Sequence, residues 1–170
     1  MSTNLLPIKP FQETLHQGMC GPATLKMAFN YYGIEKSEAE IAKLCGVTED
    51  LGTDDEGIKQ AAESLGFKVE IHNNSTFEDI QYWLNKKVPV IVNWFTRGRA
   101  DYDDSEVADG HYSAVVGLDD KYIYIQDPEI GKLRKIDRDD FMKVWFDFTG
   151  KYIDPKELII RQLIAIYKQG

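Results

Sequence analysis

Residues 110–127 read Gly110-His-Tyr-Ser-Ala-Val-Val-Gly-Leu-Asp-Asp-Lys-Tyr-Ile-Tyr-Ile-Gln-Asp127. Two apolar stretches, His111–Leu118 and Tyr122–Gln126, flank Asp119-Asp120. That arrangement predicts an antiparallel hairpin. With a three-residue turn, Val115 faces Ile123, Ser113 faces Ile125 and His111 faces Asp127. Directly opposed side chains share one face, with Cβ atoms about 4.5–5.5 Å apart. In that register a carboxylate can orient an imidazole. A two-residue turn would send the two side chains to opposite faces.

Outward from the hairpin, the turn Asp127-Pro-Glu-Ile-Gly131 leads to a strand over Lys132–Ile136, and Asp137 caps a short helix through Val144. Leu158–Tyr167 reads as one last strand. Toward the N-terminus, Arg97–Gly110 is a polar loop and Val88–Trp94 a buried strand. Pro89 sits near that strand's start, where a missing donor is tolerated. Ser75 or Thr76 caps a helix to about Lys87, and Phe67–Ile71 alternates as a strand. Three short helices come first. One runs from Pro22 to a stop at Gly33. The second runs from the capping box Ser37–Glu40 to Gly46, and the third from a second capping box, Thr53–Glu56, to Gly66. Helices followed by a mostly antiparallel sheet make an α+β fold, not an alternating parallel one. The 170 residues suffice for one domain, taken as 1–170.

Composition excludes several classes. Hydrophobic residues at 43% and charged ones at 28% exclude a disordered chain. A net charge of −8 gives no electrostatic footprint for nucleic acid. No apolar run is long enough to span a bilayer, so this is not an integral membrane protein. Residues 1–10 lack a basic stretch followed by an apolar one, so no secretory signal is read. Two cysteines, Cys20 and Cys45, and three scattered histidines, His16, His72 and His111, supply neither a disulfide scaffold nor zinc spacing. No metal or cofactor is expected, and a cytoplasmic, reducing setting is. The acidic residues Asp101, Asp103, Asp104, Glu106 and Asp109 lack the spacing of a calcium loop and read as solvated. Tyr82, Trp83, Trp94, Phe95 and Trp145 could line a groove, but most of them are expected in the core.

The chemistry centres on Cys20. It precedes Gly21 and Pro22 at a predicted helix start, where unpaired N–H groups and the helix dipole favour a thiolate. Gly21 removes bulk beside the sulfur. His111 is the candidate base and Asp127 its orienting acid. Gln12 and Gln17 both precede Cys20, and either amide can donate to an oxyanion. Cys45 reads as a small core residue.

Three stretches in order, Cys20-Gly-Pro-Ala-Thr-Leu-Lys-Met27, Gly110–Asp119 and Tyr124-Ile-Gln-Asp-Pro128, resemble the bacteriocin-processing, double-glycine-leader peptidases. More closely, they resemble the stand-alone peptidase-like relatives of that group within the papain-like cysteine peptidases. The likeness runs from about Gln12 to Asp147. It implies a papain-like fold with Cys20 as nucleophile, His111 as general base and Asp127 as the orienting residue. The family's oxyanion glutamine commonly lies six residues before the cysteine, a position held here by Thr14. With a two-residue insertion, Gln12 takes that role. The leader-processing enzymes usually form one domain of an ATP-driven exporter. With neither membrane segment nor P-loop, this chain is expected to stand alone. The implied activity is cleavage of a peptide or protein substrate through a thioester. Its alternatives are a catalytically weak or inactive peptide-binding module of the same fold, and an amidase or acyltransferase using the same thioester.

Overall fold

The structure, a computed structural model, describes residues 4–15, 20–47, 53–95, 110–148, 156 and 158–169. Three helices, α1 (Cys20–Tyr31), α2 (Glu38–Cys45) and α3 (Asp55–Ser64), precede strand β1 (Phe67–His72). Helix α4 (Phe77–Asn85) leads to β2 (Val90–Phe95), β3 (Gly110–Leu118), β4 (Tyr122–Asp127) and β5 (Lys132–Asp137). Then come α5 (Arg138–Val144), β6 (Phe146–Phe148), β7 (Leu158–Ile160) and β8 (Leu163–Lys168). The main sheet has the order β1-β8-β2-β3-β4-β5 with every pairing antiparallel, and β6 and β7 form a separate pair. The α+β expectation holds.

The sheet carries a core on each face. Side chains alternate across a strand, so Ile91 of β2 and Ile164 and Ile166 of β8 pack with Leu25, Phe29, Ile41 and Ile58 of the helices. Val90, Val92 and Trp94 of β2 pack with Ile80, Trp83, Phe141 and Trp145 on the other side. All three tryptophans are buried, as expected, while Tyr82 is exposed.

The capping chemistry was mostly legible. Ser37 and Glu40 close a reciprocal capping box, and Gly46 ends α2 in the left-handed region at φ 68°. Thr76, not Ser75, caps α4. The box expected at Thr53–Glu56 is corrected: Asp54 is the N-cap of α3, accepting from Gly57 N–H at 2.7 Å. The third helical residue is therefore glycine, which has no side chain to reach back. The single strand expected over 158–167 is also corrected. Arg161 adopts φ 47°, its N–H donates to Trp145 O at 3.0 Å and its Nε to Ser75 O at 2.8 Å. These bonds divide the segment into β7 and β8. The loop expected over 97–109 and its acidic residues lie outside the described residues.

The hairpin departs from its expected register in an informative way. Leu118 pairs with Ile123, and Asp119 N–H donates to Tyr122 O, so Asp120 and Lys121 form a two-residue turn. That turn alone would put His111 and Asp127 on opposite faces. A bulge between Val115 and Gly117 absorbs one residue, and beyond it Val115 pairs with Ile125 and Ala114 with Gln126. The inserted residue restores the parity. Asp127 thus comes level with Ser113, two residues along from His111 on the same face. The N-terminal strap 4–15 uses the bulge as an anchor: Leu6 N–H donates to Val116 O at 2.8 Å, and Gln126 Nε2 donates to Ile8 O at 3.0 Å.

Candidate active site

Cys20 is the first residue of α1 and is buried, at 6% exposure. Packing holds this start: Gly21, Pro22, Ala23 and Thr24 are all buried behind it. A Cβ on Gly21 would stand 2.7 Å from the Thr53 side chain, so glycine is what allows the strand of chain before α3 to approach. Thr24 Oγ1 donates to Tyr112 O at 3.1 Å, and Tyr112 N–H donates to the Cys20 sulfur at 3.4 Å. The start of α1 is therefore stitched to β3 beside His111.

His111 is buried, with 5% exposure, and its Nε2 lies 2.5 Å from Asp127 Oδ1. Cys20 also hydrogen-bonds with the imidazole. Burial alone would lower the pKa of the ring. The hydrogen bonds to Asp127 and Cys20, with the charges of both, outweigh burial and hold it well above 6.5. Asp127 is buried to 1% exposure. Burial raises its pKa, but His111, the Glu129 N–H at 3.0 Å and Arg134 together keep it below 3.8. The structure thus brings Cys20, His111 and Asp127 into one chain of hydrogen bonds.

The strap reaches the same place from the opposite side. Glu13 N–H donates to Pro128 O at 2.8 Å, and Gln12 Nε2 donates to Glu129 O at 3.3 Å. Gly131, at φ 65°, makes room: a Cβ there would lie 2.6 Å from Gln12 Cβ. Thr14 N–H and Oγ1 donate to the buried Glu38 carboxylate of α2. Gln12 is therefore held beside the turn that follows Asp127, with its amide on a main-chain oxygen. Gln17 and His16 lie outside the described residues.

Three residues at the site were not singled out for it from sequence. Trp94 pairs directly with His111 and meets its ring edge-on, with centroids 5.8 Å apart. Arg134 Nε lies 3.7 Å from Asp127 Oδ2. Glu13 carries a buried Oε2 with no hydrogen-bond partner among the described residues. Desolvation raises the Glu13 pKa to about 7. His111 opposes the rise, while Glu129, Asp127 and Glu38 add to it. The signal for Trp94 and Arg134 was strand parity, which becomes readable only once the bulge is known.

Glu13 makes a pH prediction. Its folded-state pKa of about 7 lies above the ordinary 4.5, so between those values the folded chain binds the extra proton. The stabilisation is complete below pH 4.5 and is lost as pH rises to about 7. Thermal melts across that window should show Glu13→Gln gaining on the wild type with rising pH. Parallel curves would contradict the assignment.

The described residues contain no group of three histidine, cysteine or acidic side chains placed to hold a metal, and no helix long and apolar enough to cross a membrane. The α+β fold gathers a helix-start cysteine, a strand histidine and a buried carboxylate, a set that fits the cysteine-peptidase class. The chain belongs to the Peptidase C39 family, which it matches over residues 10–152. It is 32% identical over 127 residues to a lactococcin transport/processing ATP-binding protein, LcnC-like, of Lactococcus lactis; the match takes in 74% of this chain and 16% of that protein. The chain thus spans under a fifth of that relative. Its fold matches the peptidase domain of Streptococcus ComA, a bifunctional ABC transporter involved in quorum sensing. That TM-score is 0.70, with 23% identity, over 95% of this chain and 99% of the domain. It also matches a double-glycine-motif protease from an AMS/PCAT transporter, solved with its leader peptide. Here the TM-score is 0.65, with 19% identity, over 99% and 100%.

Proposed function

We propose that this protein cleaves a peptide bond through a Cys20–His111–Asp127 triad and a thioester intermediate. The observation that carries the reading is the buried His111 imidazole, 2.5 Å from Asp127 and hydrogen-bonded with Cys20 as well. His111 takes the thiol proton and the sulfur attacks the substrate carbonyl. The oxyanion faces the main-chain N–H groups at the start of α1, together with the Gln12 amide. The bond from Gln12 to Glu129 O is long and exposed, and is readily exchanged for one to substrate. The C–N bond then breaks, with His111 protonating the leaving amine. Water, deprotonated by His111, opens the thioester and restores the thiol. No step calls for a metal or cofactor.

The substrate class is a peptide or protein, and the family relation favours a segment ending in two glycines. The protein acts in the cytoplasm, where Cys20 and Cys45, both free, stay reduced. A synthetic leader peptide with a double-glycine site should be cut after the second glycine, as read by mass spectrometry. A second reading, a peptide-binding module without turnover, draws on the Gln12 amide being engaged with Glu129. Iodoacetamide at neutral pH separates the two. In the triad reading Cys20 takes the label, and His111→Ala slows it. Burial pushes the Cys45 thiol up to about 12, so it stays unlabelled. An inert Cys20 would favour the binding module. Added amine nucleophiles, followed by product analysis, would reveal acyl transfer or amidase chemistry through the same thioester.

A further inference from the structure

We propose that Arg134 is a positioning residue of this site, acting on Asp127 as Asp127 acts on His111, with Trp94 covering the row. The inference rests on the triad reading and extends it by one residue. Four neighbouring strands each give one side chain to the same face: Trp94 from β2, His111 from β3, Asp127 from β4 and Arg134 from β5. Trp94 and His111 are paired directly, and Arg134 is paired with Ile125, which shares a face with Asp127. Arg134 Nε approaches the Asp127 oxygen that His111 does not take, Oδ2, at 3.7 Å, and the Arg134 side chain is only 10% exposed. Its guanidinium carbon lies 6.0 Å from the Trp94 ring, and that ring is fully buried with Nε1 donating to Ser113 Oγ at 3.0 Å. The indole therefore touches both ends of the row.

The physical need is clear from burial. A carboxylate at 1% exposure tends to take up a proton, and a neutral Asp127 would lose its hold on an imidazolium. Arg134 places a permanent positive charge behind it, on the side away from His111. The other charged or titratable groups around the pair are Cys20 from α1, Glu13 from the strap, Glu38 from α2, Glu129 from the turn and the exposed Lys132 opposite Asp127. Burial is what pushes Asp127 toward its neutral form; His111 on one side and Arg134 on the other are the positive charges that oppose it.

The test uses Arg134→Gln and Arg134→Lys in the full chain. Each is read for the pH profile of kcat/KM on the double-glycine peptide and for the pH profile of Cys20 alkylation by iodoacetamide. Without the guanidinium Asp127 accepts a proton at higher pH, so the acid limb of both profiles should move up by about one unit in Arg134→Gln. At a pH on that limb, kcat/KM falls about tenfold, while at pH 8 the loss is smaller. Lysine restores the limb because it restores the charge. A Gln variant that melts like wild type yet keeps both acid limbs in place overturns the inference, as does a Lys variant that fails to restore them. Alkylation needs no turnover, so a wild type that never hydrolyses the peptide sinks the peptidase reading and leaves this test standing.

Discussion

Cys20→Ala should abolish peptide cleavage in the triad reading, and His111→Ala should reduce it to nearly the same level. Each should lose at least about three orders of magnitude in kcat, because members of one catalytic unit fail together and not additively. The double variant should therefore be no worse than Cys20→Ala alone. Asp127→Asn keeps a hydrogen-bonding side chain against Nε2 but removes its charge, and should fall between these variants and wild type. The assay is initial-rate hydrolysis of the double-glycine peptide, with folding checked by circular dichroism. Cys20→Ala removes one small group and should melt close to wild type, whereas His111→Ala strips the buried Asp127 of its imidazole and should melt lower, so Cys20→Ala carries the test. Cleavage by Cys20→Ala at the wild-type rate would end the triad reading outright.

Phe29→Ala should unfold the protein well below the wild-type melting temperature. Phe29 is fully buried, stacks on Phe67 at 5.5 Å with an interplanar angle of 9°, and fixes α1 against β1. Removing a buried phenylalanine costs about 3–5 kcal/mol, made up of lost transfer energy and an unfilled cavity. For a domain of this length each kcal/mol lowers the melting temperature by about 2–4 °C, so the fall should be roughly 6–20 °C. A thermal melt within a degree or two of wild type would mean that the helices do not form the core described. Because α1 also positions the sulfur, activity should decline on warming before the sheet melts.

Much of this architecture could be read from residues alone. Ser37 with Glu40, and Gly46 after them, state where α2 begins and ends through main-chain chemistry that acts locally. Cys20 and His111 were nominated by a thiol at a helix start and an imidazole at a strand start, whereas Asp127 was nominated through a three-residue turn that the structure replaces with a two-residue turn and a bulge. What escaped the sequence were features decided at a distance. Arg161 breaks the last strand because its N–H is claimed by Trp145 and its guanidinium by Ser75, partners far away in the chain. Arg134 drew no reading from sequence and Trp94 was read as core; only the register of four strands brings them to the site. Gln12 was placed by likeness, and its observed bond to Glu129 depends on the shape of a turn more than a hundred residues later.

The bulge at Val116 has a consequence for how this chain can change. The imidazole and the carboxylate meet because a two-residue turn and one surplus residue cancel. Deleting Val116, or lengthening the turn by a single position, would leave every strand in place yet swing His111 to the opposite face, the one packed by α1, α2 and α3. Shortening or extending this ribbon is therefore tolerable only in compensated pairs.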